Sequence, residues 1–455
     1  ACTIEMDGKA VRSCLVLASQ ANGSDLKTVE GFDDQMMEQV KQSFLKHNAF
    51  QCGFCSPGFI SRTKVLLQDN PNPSIEEIQK AIKPHICRCT GYKKIEKANF
   101  SYSPKNSLEA FKTSLTRHNS EFKSKPSGDL RVFWVGASHA QDNSGFLQSL
   151  RRLCKVTVYY DASGAYGING QSGQSFDDVR ASNDSTLLQK VKKAHSYGGI
   201  DILLGQMWAH LISPDTLLQI QKMGIPVINI AMDDRLPEHW STHKNKAVGA
   251  IGLKSVTNMV LTTCSDVCSW YAIEGCPAIF FPLASDPTLF TNADSKTRDI
   301  DVLFIGNRYG IRSKIVEYLN KAGVSVECYG NGWKNGYVNA EKNIELSKRA
   351  RIILGIGTVG YTENIYTLKL RDFDAVMTGS LYITHRNPDL CHLFKEDRDI
   401  VCYETAKEAA DKIIFYLANE DAREAIGSSG RALAVESHSW DHRLDSVFKD
   451  LGIID

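Results

Sequence analysis

The spacing of apolar residues along the chain changes at about residue 130. Before residue 98, apolar positions recur at helical intervals, as in DDQMMEQVKQSFLKHN and in SIEEIQKAI, whose Ser and following acids are typical of a helix start. After residue 130, short β-branched runs alternate with amphipathic helices. The pattern predicts an α/β protein in which an all-α domain, opened by a short hairpin, precedes parallel sheets.

The alternating region contains two successive series of predicted strands. The first runs from LRVFWVGA to PAIFFPLA and the second from IDVLFIGN to DIVCYE. Two series, split near residues 283–298, predict two Rossmann-like sheets with a cleft between them. The polar stretch before them, SYSPKNSLEAFKTSLTRHNSEFKSKPSGD, predicts a linker with one short helix. The predicted segments are a domain over residues 1–98, a linker over 99–129, and two lobes over 130–285 and 286–455.

Composition and charge argue against several classes of function. The 53 Lys and Arg residues nearly balance the 52 Asp and Glu residues, and a net charge of +1 gives no basis for nucleic-acid binding by bulk electrostatics. No apolar run is long enough to predict a membrane span. Six of the 13 cysteines fall within the first ninety or so residues at metal-like spacings, which favours a reducing, cytoplasmic compartment.

Four of these cysteines form two compact pairs. Cys52 and Cys55 stand as C-x-x-C in FQCGFCSPGF, and Cys87 and Cys89 stand as C-x-C in HICRCTGYKK. Thiolates are soft ligands, and four of them complete either a [2Fe–2S] cluster or a tetrahedral zinc site. The spacing therefore predicts a metal centre, and the number of ligands leaves iron and zinc both open.

The residues around the two pairs carry a resemblance that favours iron. QCGFCSPGFI together with HICRCTGYKKI resembles the C-terminal [2Fe–2S] domain of the small subunit of molybdenum hydroxylases, a group that includes xanthine dehydrogenase, aldehyde oxidoreductase and carbon monoxide dehydrogenase. The resemblance covers residues 1–98. It implies that Cys52, Cys55, Cys87 and Cys89 hold one [2Fe–2S] cluster for electron transfer. It also implies that Gln51 faces the pterin of a molybdenum cofactor bound by a large partner subunit.

The first residues, ACTIEMDGKAVRSC, resemble the end of the plant-type ferredoxin domain that precedes this domain in the family. Cys2 and Cys14 match the last two ligands of that domain, and residues 1–20 are interpreted as its remnant. The segment has no signal-peptide pattern and no initiator Met, so we expect the chain to begin partway through a larger protein. Two thiolates do not complete a second cluster, and the resemblance therefore predicts one cluster rather than two.

Residues 130–455 resemble the group-1 GT-B glycosyltransferases related to the spore-maturation protein CgeB. The stretches that carry the resemblance are IPVINIAMDD, SDPTLF, IDVLFIGNRYGIRSKIVEYL and LKLRDFDAVMTGSLYITHRNPDLCHLF. It implies an acceptor-side lobe over 130–285, a donor lobe over 286–455, and transfer of a sugar from a nucleotide sugar to an acceptor. Such enzymes stabilise the departing diphosphate with helix N-termini and basic side chains, and we expect no catalytic metal here.

The first candidate donor-site residues lie in FIGNRYGIR, a predicted strand, turn and helix. Gly306 would allow the backbone to approach a phosphate closely, and Arg308 and Arg312 would supply positive charge. A turn of this kind occurs in any parallel sheet, so a purely structural role is the alternative.

The second candidate segment is LRDFDAVMTGS, which resembles the donor-binding segment of these transferases. Asp374 occupies the position of the acid that binds the donor ribose, and Gly379 and Ser380 open the turn that follows. Lys369 and Arg371 are candidate phosphate partners, and Arg371 and Asp374 are predicted to be catalytic. The alternative is a helix with a solvated, charged face.

The segment departs from the family pattern at one position. Many retaining members carry two acids eight positions apart, but the residue eight positions before Asp374 is Tyr366. Glu363 lies nearby, out of phase. The departure leaves the stereochemical outcome of the transfer open.

On the acceptor side, His139 in the polar loop GASHAQDNSGF is a candidate base, because ligands bind at the C-terminal edge of parallel strands. A solvated loop histidine is the alternative. Asp233 and Asp234, at the end of IPVINIAMDD, are predicted to face the same cleft.

Three hypotheses follow for the whole chain. The first is a glycosyltransferase fused to a [2Fe–2S] domain, using a nucleotide sugar and an unidentified acceptor. The second is an electron-transfer subunit of a molybdenum hydroxylase whose larger region binds a nucleotide sugar without turnover. The third is a chimeric chain with two unrelated functions, since sugar transfer moves no electrons.

Overall fold

A computed structural model describes most of the chain as two compact units. One unit is Ala1–Ser107 with Asp266–Ala278, and the other is Leu108–Ser265 with Ile279–Asp455. The described residues are 3–31, 37, 40, 41, 43, 44, 49, 52–70, 73, 75–89, 92, 95, 107–117, 122–168, 175–243, 246–292 and 297–455. Cys2 and Gln51, both singled out from the sequence, lie outside them.

The first unit opens with a small antiparallel sheet. Strands β1 (Thr3–Met6) and β2 (Lys9–Arg12) are joined by Asp7 and Gly8, which both have positive φ as a tight hairpin turn requires. Strand β3 (Leu26–Lys27) pairs with the other edge of β1. Helices α1 (Ser56–Asp69) and α2 (Ile75–Ile82) follow. The prediction of an all-α domain is therefore not confirmed, because the hairpin recruits a third strand.

Part of the segment predicted as a linker is folded onto the second unit. Helix α3 (Ser107–Thr116) buries Phe111 and Leu115, which lie four residues apart on one face. The side-chain amide of Asn258 donates to the Ser114 carbonyl at 3.2 Å. Farther on, the Lys125 amide donates to the carbonyl of Ile453 at 3.1 Å, which ties this segment to the C-terminal end.

The second unit contains a first sheet of six strands in the order β11-β10-β7-β6-β4-β5. Its printed pairings are all parallel. The strands are β4 (Arg131–Val135), β5 (Lys155–Val158), β6 (Ile202–Gly205), β7 (Val227–Ala231), β10 (Met259–Thr262) and β11 (Ala278–Phe280). Between β7 and β10 lies a two-stranded antiparallel ribbon, β8 (Thr242–His243) with β9 (Lys246–Ala247). The helices are α4 (His139–Asp142), α5 (Phe146–Leu153), α6 (Phe176–Gly198), α7 (Pro214–Gln221) and α8 (Val267–Ile273).

The second sheet has five parallel strands in the order β13-β12-β14-β15-β16. The strands are β12 (Ile300–Ile305), β13 (Glu327–Tyr329), β14 (Ala350–Leu354), β15 (Leu381–His385) and β16 (Val401–Tyr403). The helices are α9 (Arg312–Lys321), α10 (Ala340–Arg349), α11 (Leu370–Met377), α12 (Pro388–Leu393), α13 (Ala406–Ala418), α14 (Glu420–Ser437) and α15 (Trp440–Asp450). The prediction of two successive parallel sheets is confirmed.

The last helix returns to the first sheet. Trp440 at the start of α15 packs edge-on against Phe146 of α5, with ring centroids 5.1 Å apart. Arg152 of α5 pairs with Asp441 at 2.9 Å and with the buried Asp286 at 3.0 Å. The tail therefore links the two sheets. None of the described helices combines the length and the apolar character needed to cross a bilayer.

Candidate functional sites: a thiol cluster and a basic cleft

The four predicted thiol ligands come together in the first unit. Cys52 and Cys55 lie just before α1, and Cys87 and Cys89 lie just after α2. The sulfurs of Cys52 and Cys89 are 3.5 Å apart, and the thiol of Cys55 is hydrogen-bonded to that of Cys87. Among the described residues, no three His, Cys, Asp or Glu side chains converge as ligands of a single ion. Thiols arranged in two pairs fit a cluster with two iron atoms better than one tetrahedral zinc ion.

Local contacts hold the loops that carry these thiols. The Tyr92 hydroxyl donates to the His85 carbonyl at 3.0 Å and accepts from the Cys87 amide at 3.1 Å. Phe59 of α1 packs against the rings of both His85 and Tyr92. Gly53 has φ of +78°, a conformation that favours glycine, between the two cysteines of the first pair. These contacts explain why the thiols face one another without help from distant parts of the chain.

The second candidate site is a cleft of about 340 Å³ between the two sheets of the second unit. Its first wall follows β4 and includes Ser138, Gln141 and Ser144. Its second wall follows the C-terminal ends of β12 and β14, the edge at which open parallel sheets bind ligands. The charged residues of this wall are Arg312, Lys369, Arg371 and Asp374.

Two buried arginines dominate the second wall. The Arg312 guanidinium lies 4.0 Å from the ring centroid of Tyr309, and that of Arg371 lies 4.7 Å from the ring centroid of Phe304. Arg312 donates to the Asn307 carbonyl at 2.8 Å and Arg371 donates to the Ile305 carbonyl. Burial, and then the charge of Arg371, lower the pKa of Arg312 to about 10. In the part of the chain that the structure describes, the Nε of each arginine has no hydrogen-bond partner.

Gly306 makes room for the two arginines. A Cβ added at this position would lie 2.8 Å from an Arg371 nitrogen and 3.3 Å from an Arg312 nitrogen. The position therefore excludes a side chain for steric reasons, although the predicted reason was contact between backbone and phosphate. The residue serves the cleft by letting the guanidinium groups approach the end of β12.

Lys369 links the two walls. Its ammonium lies 2.8 Å from an Asp233 oxygen, which also accepts from the Thr367 hydroxyl at 2.8 Å. Burial alone would raise the pKa of Asp233, but the charge and hydrogen bond of Lys369 outweigh it and hold that pKa below its usual value. Asp233 has φ of +56° at the end of β7, a strained conformation that clusters at functional sites.

A second bridge lies beside the first one. Arg235 donates to the Tyr366 carbonyl at 2.7 Å and to Asp389 at 2.6 Å. Asp389 also accepts from the Ser265 hydroxyl at 2.5 Å. The chain after β7 therefore holds the second sheet through two carboxylates. Tyr366, which replaces an acid of the family pattern, takes part through its backbone.

Asp374 lies in the cleft wall on α11 and is almost completely buried. One of its oxygens accepts from the Ser285 hydroxyl at 2.7 Å. Burial raises the pKa of Asp374 to about 8, so the carboxyl is largely protonated at neutral pH. The neighbouring Asp372 accepts from the Lys369 amide at 2.7 Å and thereby caps α11. The two acids of this segment therefore have different roles.

Four other predicted residues lie outside the described lining of the cleft. Arg308 is half-exposed and its guanidinium lies 5.4 Å from the Trp333 ring centroid. Gly379 and Ser380 follow the far end of α11, where the Ser380 hydroxyl donates to the Ala350 carbonyl at 2.9 Å. His139 is exposed at the start of α4, edge-on to Tyr166. Their predicted roles stay predictions.

The cleft also contains residues that the sequence did not single out. Tyr337 and Asn339 line it from the segment before α10, and the Asn339 side chain caps that helix. Ser285 reaches Asp374 from the connection between the two sheets. A polar segment before a helix carries no signal of its own. Gln141 and Ser144, in contrast, lie in the loop already noted around His139.

Comparisons with known proteins divide the chain in the same way. Residues 28–99 match the family described as "[2Fe-2S] binding domain", and residues 312–449 match the family described as "Glycosyl transferase-like". The nicotine 6-hydroxylase small subunit of Paenarthrobacter nicotinovorans is 48% identical over 98 residues, which are 22% of this chain and 59% of that protein. This chain spans between 53% and 63% of the length of the first such relatives.

Solved structures resemble the second unit. Sucrose-phosphate synthase of Thermosynechococcus elongatus is 12% identical, with a TM-score of 0.52 over 71% of this chain and 99% of that one. HepE of Anabaena in complex with UDP and glucose is 13% identical, with a TM-score of 0.51 over the same 71% and 99%. At this identity the likeness shows the fold alone, which is GT-B. The chain joins a [2Fe–2S] domain of the molybdenum hydroxylase small-subunit type to a glycosyltransferase-like GT-B region.

Proposed function

We propose that residues 130–455 transfer a sugar from a nucleoside-diphosphate sugar to an acceptor. The observation that carries the proposal is the pair of buried guanidinium groups, Arg312 and Arg371, whose Nε donors lack partners among the described residues. Buried cations without an anionic partner are costly to maintain. A diphosphate entering the cleft would supply both the missing charge and the missing hydrogen-bond acceptors.

The same groups suit the chemistry of transfer. When the bond between the sugar and the diphosphate breaks, negative charge develops on the departing phosphate oxygen. Fixed cations stabilise this charge without reorganising during the reaction. We assign this role to Arg371 and Arg312, with Lys369 joining them once it leaves Asp233. Lys369 lies 2.8 Å from Asp233, so a competing phosphate would shift an existing ion pair.

Asp374 is proposed to bind the donor ribose. A protonated carboxyl can donate one hydrogen bond and accept another, and a ribose diol offers partners for both. Burial raises the pKa of Asp374 to about 8, which supports a protonated carboxyl at neutral pH. The first wall, with Ser138, Gln141 and Ser144, faces this group and is proposed as the acceptor side.

The test is calorimetric titration with UDP and UDP-glucose, followed by an assay for release of UDP. UDP-glucose is the first donor to try because HepE, a structural neighbour, has been solved with it. We expect Arg371→Gln to weaken UDP binding by about 10–100-fold, the effect of losing a charge-assisted hydrogen bond. Arg308→Gln removes an exposed arginine nearby and serves as the matched control. Equal UDP affinity in both variants would contradict the proposal.

For the first unit we propose one [2Fe–2S] cluster held by Cys52, Cys55, Cys87 and Cys89. The donor set consists of soft thiols in two close pairs, which is the chemistry that such a cluster requires. When bound, the cluster would take up and release single electrons. Absorption and electron paramagnetic resonance spectra of the reconstituted, reduced protein test this proposal. A colourless protein that binds zinc would contradict it.

The surface beside the thiols favours an electron-transfer role with a partner. Phe54 and Ile86, each next to a thiol, keep 82% and 85% of their surfaces exposed. Large apolar side chains exposed together suit a protein interface. The proposed partner is a subunit that holds a molybdenum cofactor. Co-purification of such a subunit with the intact chain, and its loss on Phe54→Glu, would support this role.

A further inference from the structure

Two cysteines far from the thiol cluster form a close pair in the second sheet. Cys391 lies on the short helix α12 and Cys402 lies on the edge strand β16. Their sulfurs are 3.6 Å apart. Because a disulfide bond is about 2.05 Å long, a small movement of α12 suffices to join them. Cys391 is half-buried and therefore reachable by a small molecule, whereas Cys402 is buried.

The surroundings make the two thiols unequal. The hydrogen bond from Cys402 lowers the pKa of Cys391, and the same contact raises that of Cys402. Arg386, which ion-pairs with Glu396 and Glu404, adds positive charge near the pair. A more acidic, accessible thiol beside a buried one is the arrangement of an attacking and a resolving cysteine.

The backbone around the pair is well fixed. Cys402 pairs with Thr384 in the sheet, and its carbonyl accepts from Lys412 at 2.6 Å. The mobile partner is thus expected to be Cys391, because α12 has only six residues. The same helix carries Asp389, which binds Arg235 of the first sheet at 2.6 Å. A bond to Cys391 would therefore act on a helix that bridges the cleft.

We propose that Cys391 and Cys402 are a peroxide-reactive dithiol site that forms an intramolecular disulfide. The Cys391 thiolate attacks one oxygen of hydrogen peroxide, the O–O bond breaks, and the hydroxide that leaves takes up a proton to become water. The resulting sulfenic acid is attacked by the Cys402 sulfur, which forms the S–S bond and breaks the S–O bond. The hydroxyl leaves with the Cys402 proton as a second water. Two thiols thus lose two electrons, and one peroxide is reduced to two waters.

Mass spectrometry of the native full-length chain tests this site. The protein is treated with peroxide or with dithiothreitol, alkylated in acid and digested with trypsin without reduction. Cys391 then lies in the peptide NPDLCHLFK (387–395) and Cys402 in DIVCYETAK (399–407). We expect the two peptides to be linked after peroxide and separate after dithiothreitol. The peptide with Cys328, a buried thiol in the same lobe, serves as the internal control and should stay unmodified.

Two variants make the result decisive. Cys402→Ser should lose the linked pair completely and leave a sulfenic acid on Cys391 that dimedone traps. Cys391→Ser, at the half-buried position, should lose the linked pair with no dimedone adduct on Cys402, and it serves if the buried substitution prevents folding. Separate peptides after peroxide, or over-oxidised Cys391 without a linked form in the native chain, would overturn the proposal.

Discussion

The thiol cluster and the basic cleft are built in opposite ways. The cluster takes its ligands from two short loops, and Cys52 and Cys89 are exposed. The cleft takes its side chains from segments between residues 138 and 375 and buries them, so that Arg312 and Asp374 each keep 5% of their surfaces. A thiolate binds metal because of its own softness, whereas the cleft's charged groups depend on burial for their strength. The first site should therefore need only local folding, and the second needs both sheets.

The sharpest way to break this comparison is to remove one thiol. Cys87→Ser should abolish the visible absorption of the reconstituted cluster, because a [2Fe–2S] cluster held by four thiolates loses one of its ligands. UDP affinity, measured on the same sample, should not change. Cys154→Ser, a buried thiol in the second unit, is the matched control and should keep the absorption. A parallel fall in UDP affinity would mean that the two sites are coupled.

The next largest effect is expected at Gly306. Gly306→Ala places a methyl group 2.8 Å from an Arg371 nitrogen, so the guanidinium must move. Overpacking of this kind costs about 1–3 kcal/mol, which we expect to appear as roughly tenfold weaker UDP binding with a lower melting temperature. Gly323→Ala, at a turn with open space around it, controls for the general effect of the added methyl on folding. Unchanged UDP affinity would separate Gly306 from the arginines.

The two sites also differ in how far the sequence could predict them. Cys52, Cys55, Cys87 and Cys89 were predictable because their chemistry is written in local spacing. The strand runs predicted both parallel sheets, and the family segments predicted Arg312, Arg371 and Asp374 as site residues that the cleft does contain. The third strand of the first unit was missed because Leu26–Lys27 is too short to form a pattern.

What the sequence could not predict depends on tertiary contacts. The hydroxyl of Ser285 reaches Asp374 across 89 positions of the chain, and the ion pair of Lys369 with Asp233 spans 136 positions. Burial decides the protonation of Asp374, and burial is a property of the whole lobe. The placement of Arg308 beside Trp333, outside the cleft, follows from the course of one turn. Spacing along the chain contains none of this information.

A smaller effect is expected from the protonation of Asp374. Its pKa is raised by burial to about 8, so it contributes stability below its unfolded-state value, and this contribution is lost as the pH rises towards 8. Asp374→Asn keeps an oxygen to accept from Ser285 and removes the titration. The unfolding free energy of the unaltered chain should fall relative to the variant by about 1.4 kcal/mol per pH unit within this range. Denaturant titrations at pH 5, 6, 7 and 8, each about one unit apart, measure the difference. Parallel pH profiles would contradict a buried, protonated carboxyl.

The smallest effect, and the one of opposite sign, is expected at Asp233. Asp233→Asn removes the charge that holds Lys369 but suits the left-handed backbone, in which Asn is also common. The released ammonium should favour a diphosphate by about 0.5–1 kcal/mol, roughly threefold in the UDP dissociation constant. Lys369→Gln should weaken binding instead, and the double variant should show no gain over Lys369→Gln alone. A gain that persists without Lys369 would mean that Asp233 repels the nucleotide directly, and the ion pair would then be a structural bridge between the sheets rather than a competitor of the ligand.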